Sequence, residues 1–279
     1  AMFRLLNIEL HKLKYNRASK VLITIYFALL FSIALLATIK FDIGPIKFHL
    51  ADQGIFNFPY VWHFNTYIAA FFKFFLLLII VSMVSNEYSN RTLKQNLIDG
   101  LSKKEFILSK FYTVVLFALI STFFVFTISL VLGLIYSDFN EVSIIFSDLE
   151  FLLAYFVKLV GFFSFGLFLG MLIKKSAFSV AAMFVWFIGE TMSYNLIRFN
   201  VPNGEQIADS VYQFAPLMSM SKLIDQPFTR LNAVKTLATQ VGEDVYFDTA
   251  VHWYEIAVVL GWTAIFIYGS YWLLKIRDL

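Results

Sequence analysis

Cysteine is missing from the chain, which excludes a disulfide framework, a thiolate metal site and a thiol nucleophile together. Charge is scarce as well: 15% of residues are Asp, Glu, Lys or Arg, 59% are hydrophobic, and mean hydropathy is +0.74. That balance lies outside ordinary soluble domains and points to lipid as the solvent. Residues 1–279 have room for several spans and short loops in one membrane domain, and none for a large soluble catalytic domain beside them. Catalytic signatures are missing too. His11, His49, His63 and His252 form no H-E-x-x-H, and no G-x-S-x-G occurs. The one G-x-x-x-x-G, Gly161 to Gly166, continues into Leu167 where a phosphate-binding loop needs Lys. The acidic cluster Glu243, Asp244 and Asp248 matches no calcium loop. The chain is therefore expected to hold no metal or cofactor and to be no enzyme. A net charge of +3, sorted by side as shown below, also argues against nucleic acid as a partner.

What is present is a set of long apolar runs, at residues 21–39, 66–84, 111–136, 151–173, 177–197 and 251–274. The shortest, at about 1.5 Å rise per residue, reaches roughly 28 Å and so crosses a hydrocarbon core of about 30 Å. Lipid offers no hydrogen-bond partners, so each run must satisfy its backbone internally, and the lack of strand alternation selects helices. The expected fold is all-α, a polytopic membrane protein with six transmembrane helices. The first run is read as a retained span, because a charged stretch precedes it and Lys40, Phe41 and Asp42 follow without a small-residue cleavage pattern.

Basic residues set the orientation. Residues 1–20 carry five Lys or Arg and residues 85–110 another five, joined by Lys174, Lys175, Lys275 and Arg277. The other side has only Lys40, Lys47, Arg198, Lys222, Arg230 and Lys235. The positive-inside rule then predicts that both termini are cytoplasmic, and the expected location is the cell membrane, a bacterial inner or cytoplasmic membrane. Trp253 with Tyr254, and Tyr271 with Trp272, stand where aromatic anchors or ordinary aromatic packing would put them.

Residues 2–20 read as an N-terminal amphipathic interfacial helix. Phe3, Leu6, Leu10 and Leu13 share one face, with Arg4, His11, Lys12 and Lys14 around the other. A simple positive-inside anchor is the alternative. The loop 85–110, "SNEYSNRTLKQNLIDGLSKKEFILSK", encodes two helices and a break: a polar helix over 86–98, then Asp99 and Gly100 as a left-handed end. Ser102 and Glu105 have capping-box spacing, and Leu101 with Phe106 that of a hydrophobic staple.

The basic N-terminal helix, this loop after the second span, and six spans resemble the type-2 ABC transporter permease family, most of whose members are exporters. The family's acidic residue, Thr-Leu pair and Lys leading into the third span match Glu87, Thr92, Leu93 and Lys110, with Arg91 where the family commonly has Gly. "FAPLMSMSKLI", residues 214–224, is similar to the family's partly apolar segment before the last span. The resemblance implies that Glu87, Arg91, Thr92, Leu93, Leu97 and Gly100 belong to a cytoplasmic coupling helix docking on a separate ABC ATPase subunit. It implies two ATPase copies, which carry ATP and Mg, and a second permease subunit, identical or related. A solvated charged loop is the alternative reading of the same residues.

Lys73, Lys158 and Glu190 fall inside the spans at a similar depth, where an unpaired charge costs about 2.5–3.5 kcal/mol on insertion scales. A structural ion pair of Glu190 with Lys73 or Lys158, a polar translocation path, and snorkelling lysines are the three readings. Gly166 and Gly170 allow close helix packing. The 34 Phe residues would line an apolar cavity or face lipid. The external loop 198–250, divided by Pro202, Pro216 and Pro227, holds candidate re-entrant helices. The reading adopted is an ABC exporter permease, with membrane lipid as its surroundings. An ion-gradient-driven secondary transporter and a non-transporting membrane anchor are the alternatives, separable by whether flux needs an ATPase or occurs at all.

Overall fold

The computed structural model describes residues 2–36, 39–43, 46–49, 54–230 and 249–277. The acidic cluster at 243–248 and Lys235 lie outside the described residues. Among the described residues six helices are long and apolar enough to cross a membrane, in line with the six apolar runs. Helix α1 (Met2–Tyr15) precedes α2 (Arg17–Leu36), and a short hairpin follows, β1 (Lys40–Ile43) against β2 (Ile46–His49), with Asp42 opposite Lys47. The second span is α3 (Tyr60–Ala69) and α4 (Lys73–Ser89), joined through a 3-10 turn at Ala70–Phe72. After the short helix α5 (Thr92–Ile98) come α6 (Lys103–Tyr136), α7 (Val142–Ile145), α8 (Glu150–Ile173) and α9 (Ser176–Asn200). Helices α10 (Gly204–Tyr212) and α11 (Pro216–Lys222) follow, and α12 (Trp253–Ile276) is the last span.

The helices overrun their apolar runs where polar residues still find partners. The third span starts at Lys103 because the Ser102–Glu105 capping box forms as expected, with Glu105 N–H donating to Ser102 Oγ at 3.1 Å and Ser102 N–H to Glu105 Oε2 at 3.0 Å. Helix α8 is the most deeply buried span and forms the axis of the bundle, with α12, α4, α6 and α9 packed around it. Its glycines explain that position. A Cβ on Gly166 would overlap Leu77 of α4, one on Gly170 would lie 3.4 Å from Val84, and one on Gly161 would lie 2.8 Å from Val259 of α12. The small-residue stripe thus serves packing within this chain. Helix α2 joins α8 through a buried Tyr26–Tyr155 hydroxyl pair at 3.1 Å. By contrast α9 exposes Phe178, Val185, Phe187 and Ile188, as a helix facing lipid must.

The two ends of the bundle differ. At one, here the basic end, α1, α5 and the start of α6 lie beside the last turns of α4, α8 and α12. Arg277 donates to the Met171 and Leu172 carbonyls at 2.5 and 3.0 Å, closing the C-terminal turn of α8. At the far end, Trp62 Nε1 donates to the Ile145 carbonyl at 2.9 Å and His63 Nε2 to the Asp225 carbonyl at 2.7 Å.

Replacing Gly166 by Ile forces α4 and α8 apart. It should destabilise the protein by about 1–3 kcal/mol, read as a lowered melting temperature in detergent, whereas Gly189→Ala, on open surface inside α9, should not lower it.

Candidate functional site

The loop after the second span folds in a slightly different place from the sequence expectation. Helix α4 runs on through Glu87 to Ser89, so the polar helix is α5, Thr92–Ile98, and does not extend over 86–98. The break between them is Arg91, which adopts a left-handed conformation with φ 56° and ψ 15°. Gly fits that conformation without a Cβ clash, which accounts for the Gly that the resembled family commonly carries there. Gly100 ends α5 at φ 98°. Leu101 N–H donates to the Asn96 carbonyl at 3.0 Å and Gly100 N–H to the Leu97 carbonyl at 3.3 Å, a Schellman end. Phe106 is buried in the core, and Leu101 is partly buried against that core.

What holds this turn to the bundle is a chain of four alternating charges. The Glu87 carboxylate accepts from Lys110 Nζ at 2.8 Å, Lys12 Nζ at 2.6 Å, Thr92 Oγ1 at 2.6 Å and Asn96 Nδ2 at 3.2 Å. Lys110 also donates to Glu9 at 2.6 Å, and Lys12 to Glu9 at 3.3 Å, so two carboxylates and two ammonium groups close a ring. Ser109 Oγ adds a contact to Glu9 at 3.4 Å. Glu9, Glu87 and Lys110 are buried, and the Lys110 side chain is 0% exposed. Lys12 is the wet corner, with its side chain 36% exposed. Burial pulls the Lys12 ammonium down, but Glu9 and Glu87 more than offset this and hold its pKa above the ordinary value. One residue from each of α1, α4 and α6, with two from α5, thereby meets at a single carboxylate. Thr92 and Asn96 reach Glu87 together because they lie four apart on one helix face.

The expected coupling residues therefore divide. Glu87, Thr92, Leu93 and Leu97 face the bundle, with Leu93 buried and Leu97 half-buried, while Arg91 and Gly100 are exposed. The outward face of α5 consists of Lys94, Gln95 and Ile98, the last an apolar side chain left 75% exposed.

Sequence reasoning missed Glu9 and the role of Lys12. The buried stripe of α1 is Leu5, Glu9 and Leu13, rotated from the Phe3, Leu6, Leu10 and Leu13 face. Phe3 is exposed and Leu6 and Leu10 half-buried, so that apolar edge remains free for lipid. The available signal was Glu9 itself, the one acidic residue of the helix, lying four residues from both Leu5 and Leu13.

A second polar cluster lies deeper. Among the described residues, Glu190 makes no ion pair with Lys73 or Lys158, which corrects that sequence reading. Its carboxylate instead accepts from Leu217 N–H at 3.1 Å, Met218 N–H at 2.9 Å and Trp186 Nε1 at 2.6 Å. Leu217 and Met218 belong to the first turn of α11, whose N–H groups have no partner inside the helix. Helix α10 folds back along α9, held by Arg198 to Glu205 at 2.6 Å and Tyr194 to Asp209 at 3.1 Å, and so carries the start of α11 down to Glu190. Lys158 donates to the Ser221 carbonyl at 3.4 Å, near the other end of α11. The carboxylate and the ammonium thus meet opposite ends of one short helix, each satisfying free backbone groups there. Lys73 lies 4.4 Å from the Phe162 ring centroid and beside Phe74. It shares with Lys158 a cavity of about 550 Å³ between α4, α8, α9 and α11.

Removing one member of a buried ion pair leaves an uncompensated charge, at a cost of about 3–5 kcal/mol. Lys110→Met, which leaves the buried Glu9 and Glu87 to share the single Lys12 ammonium, should lower the melting temperature strongly, whereas Lys12→Met at the exposed corner should cost about 1 kcal/mol or less. Arg91→Gly, which removes the left-handed Cβ, should be neutral or stabilising by up to about 1 kcal/mol. Thermal unfolding in one detergent ranks the three.

The family model for the ABC-2 family transporter protein matches residues 5–190, which contain the charge ring, α5, Lys73, Lys158 and Glu190. No curated protein matches the chain. The match covers α1 through most of α9, and with the six spans it makes the chain a member of the ABC-2 transporter family and a transporter membrane subunit.

Proposed function

We propose that the chain is the permease of an ATP-driven exporter, coupled to a separate ATPase subunit through α5. The single observation that carries this reading is the mounting of α5: Glu87 fixes it to α1, α4 and α6 at once, while Lys94, Gln95 and Ile98 stay outside. A helix so mounted passes any push on its outer face directly to two spans. Family membership supports an ATPase as the source of that push. Arg91, Lys94, Gln95 and Ile98 would touch the partner, whereas Glu87, Thr92, Leu93, Leu97 and Gly100 would hold the helix rigid. ATP and Mg would belong to the partner.

The basic end would face the cytoplasm, since the Lys and Arg excess of α1, α5 and the α6 start lies there. The phosphates of a cell membrane's inner leaflet would then meet Arg4 and Lys14 of α1, both exposed. A six-span chain supplies one half of an alternating-access pathway, so a second permease and two ATPase copies would complete the assembly.

Copurification from native membranes tests the partnership. The wild-type chain should bring down an ATPase. Ile98→Asp with Lys94→Glu should lose that partner, or its stimulated hydrolysis, without a change in melting temperature. If a well-folded wild-type chain brings down no ATPase and moves substrate on an ion gradient alone, the secondary-transporter reading takes its place.

A further inference from the structure

The cavity beside Lys73 has a chemical character that the coupling machinery does not use. Its walls include the rings of Tyr67, Phe71, Phe74, Phe162, Phe184 and Phe187. Its volume, about 550 Å³, falls within the usual range of small-molecule sites. Two ammonium groups, Lys73 and Lys158, reach it from α4 and α8. By rise along the helix, Lys73 stands roughly 21 Å from Glu87, well inside a hydrocarbon core of about 30 Å. Among the described residues neither lysine has a carboxylate within ion-pair distance. Among those residues Lys158 meets a backbone carbonyl and Lys73 meets aromatic faces alone, which serve a cation but accept no N–H hydrogen bond of the ordinary kind. Asp225 also lines the cavity, and Lys222 there is already engaged by Asp209 at 3.0 Å.

An ammonium kept at this depth is expensive unless an anion completes it. We propose that the cavity binds an anionic amphiphile: a molecule with one acidic headgroup, placed between Lys73 and Lys158, and a hydrocarbon chain laid along the Phe-lined wall. The exposed edges of Phe71, Phe184 and Phe187 leave the chain a way in from the membrane. The headgroup would supply the acceptors that Lys73 lacks, and the aromatic wall would favour the tail over water. Two sources share this chemistry, an acidic membrane lipid and a free amphiphile delivered for export. Binding is a property of this chain and does not depend on which energy source drives it.

The purified protein, with whatever ATPase accompanies it, is titrated in neutral detergent with hexadecyl phosphate and separately with hexadecanol, and occupancy is read by native mass spectrometry. Hexadecyl phosphate should bind once per chain and at least about tenfold more tightly than hexadecanol. Lys73→Gln should weaken the phosphate by at least about tenfold, and Lys73→Arg should restore most of it. The same Lys73→Gln protein, stripped of lipid, should melt no lower than wild type, because it loses a charge and no hydrogen bond. An acidic lipid retained by wild type and lost from Lys73→Gln identifies membrane lipid as the occupant. Binding of added phosphate without a retained lipid identifies a free amphiphile. Equal affinity for hexadecanol, or phosphate affinity untouched in a folded Lys73→Gln protein, overturns the proposal.

Discussion

An ammonium group with no exposed surface has to be neutralised where it stands, and Lys110 is neutralised by two carboxylates from different helices. That constraint organises one end of the molecule. Glu9 on α1 lies against α6 because Lys110 and Lys12 would otherwise share the one Glu87 carboxylate, leaving more positive than negative charge at a largely buried site. Glu87 has to be at the last turns of α4, and the chain has to reverse at Arg91, so that Thr92 and Asn96 can fill the remaining lone pairs. Such a network is valuable only when complete, since each unsatisfied member carries its full desolvation cost. Its completeness makes α1, α4, α5 and α6 a single mechanical piece.

Deeper in the bundle the same rule of satisfaction takes another form. Glu190 finds backbone N–H groups in place of a lysine, and Lys158 finds a backbone carbonyl in place of a carboxylate. Both are consequences of α10 folding back along α9, which brings the open ends of α11 to the level of charged side chains. Lys73 is left to the aromatic wall. The two clusters thus differ in kind: one is closed on itself and rigid, the other ends in a cavity with positive charge to spare.

Much of this could be read from the residues. Six long apolar runs without strand alternation fix six helices among the described residues because lipid forces each run to satisfy its own backbone, and the Ser102, Glu105 and Gly100 signals fixed the start of α6 and the end of α5. These features are local, and local chemistry decides them. The start of α5 was misplaced because nothing in "NEYSNR" forbids a helix, and the reversal at Arg91 depends on Glu87 being held elsewhere. The pairing of Glu190 with a lysine failed for a related reason. Equal depth says that charges lie in one plane, but it cannot say which helices are neighbours or that a loop returns between them. Glu9 was legible only as an acid among leucines, and its partner on α6 lies 101 positions away.

The central claim is that one carboxylate makes α5 and α1 a unit with the spans. Amide hydrogen exchange on wild-type and Glu87→Gln protein measures this directly. Loss of protection in α5 and α1 together, with α8 and α12 unchanged, is the result the structure predicts. Loss confined to α5, with α1 as protected as before, would contradict it and reduce the ring to a set of independent contacts.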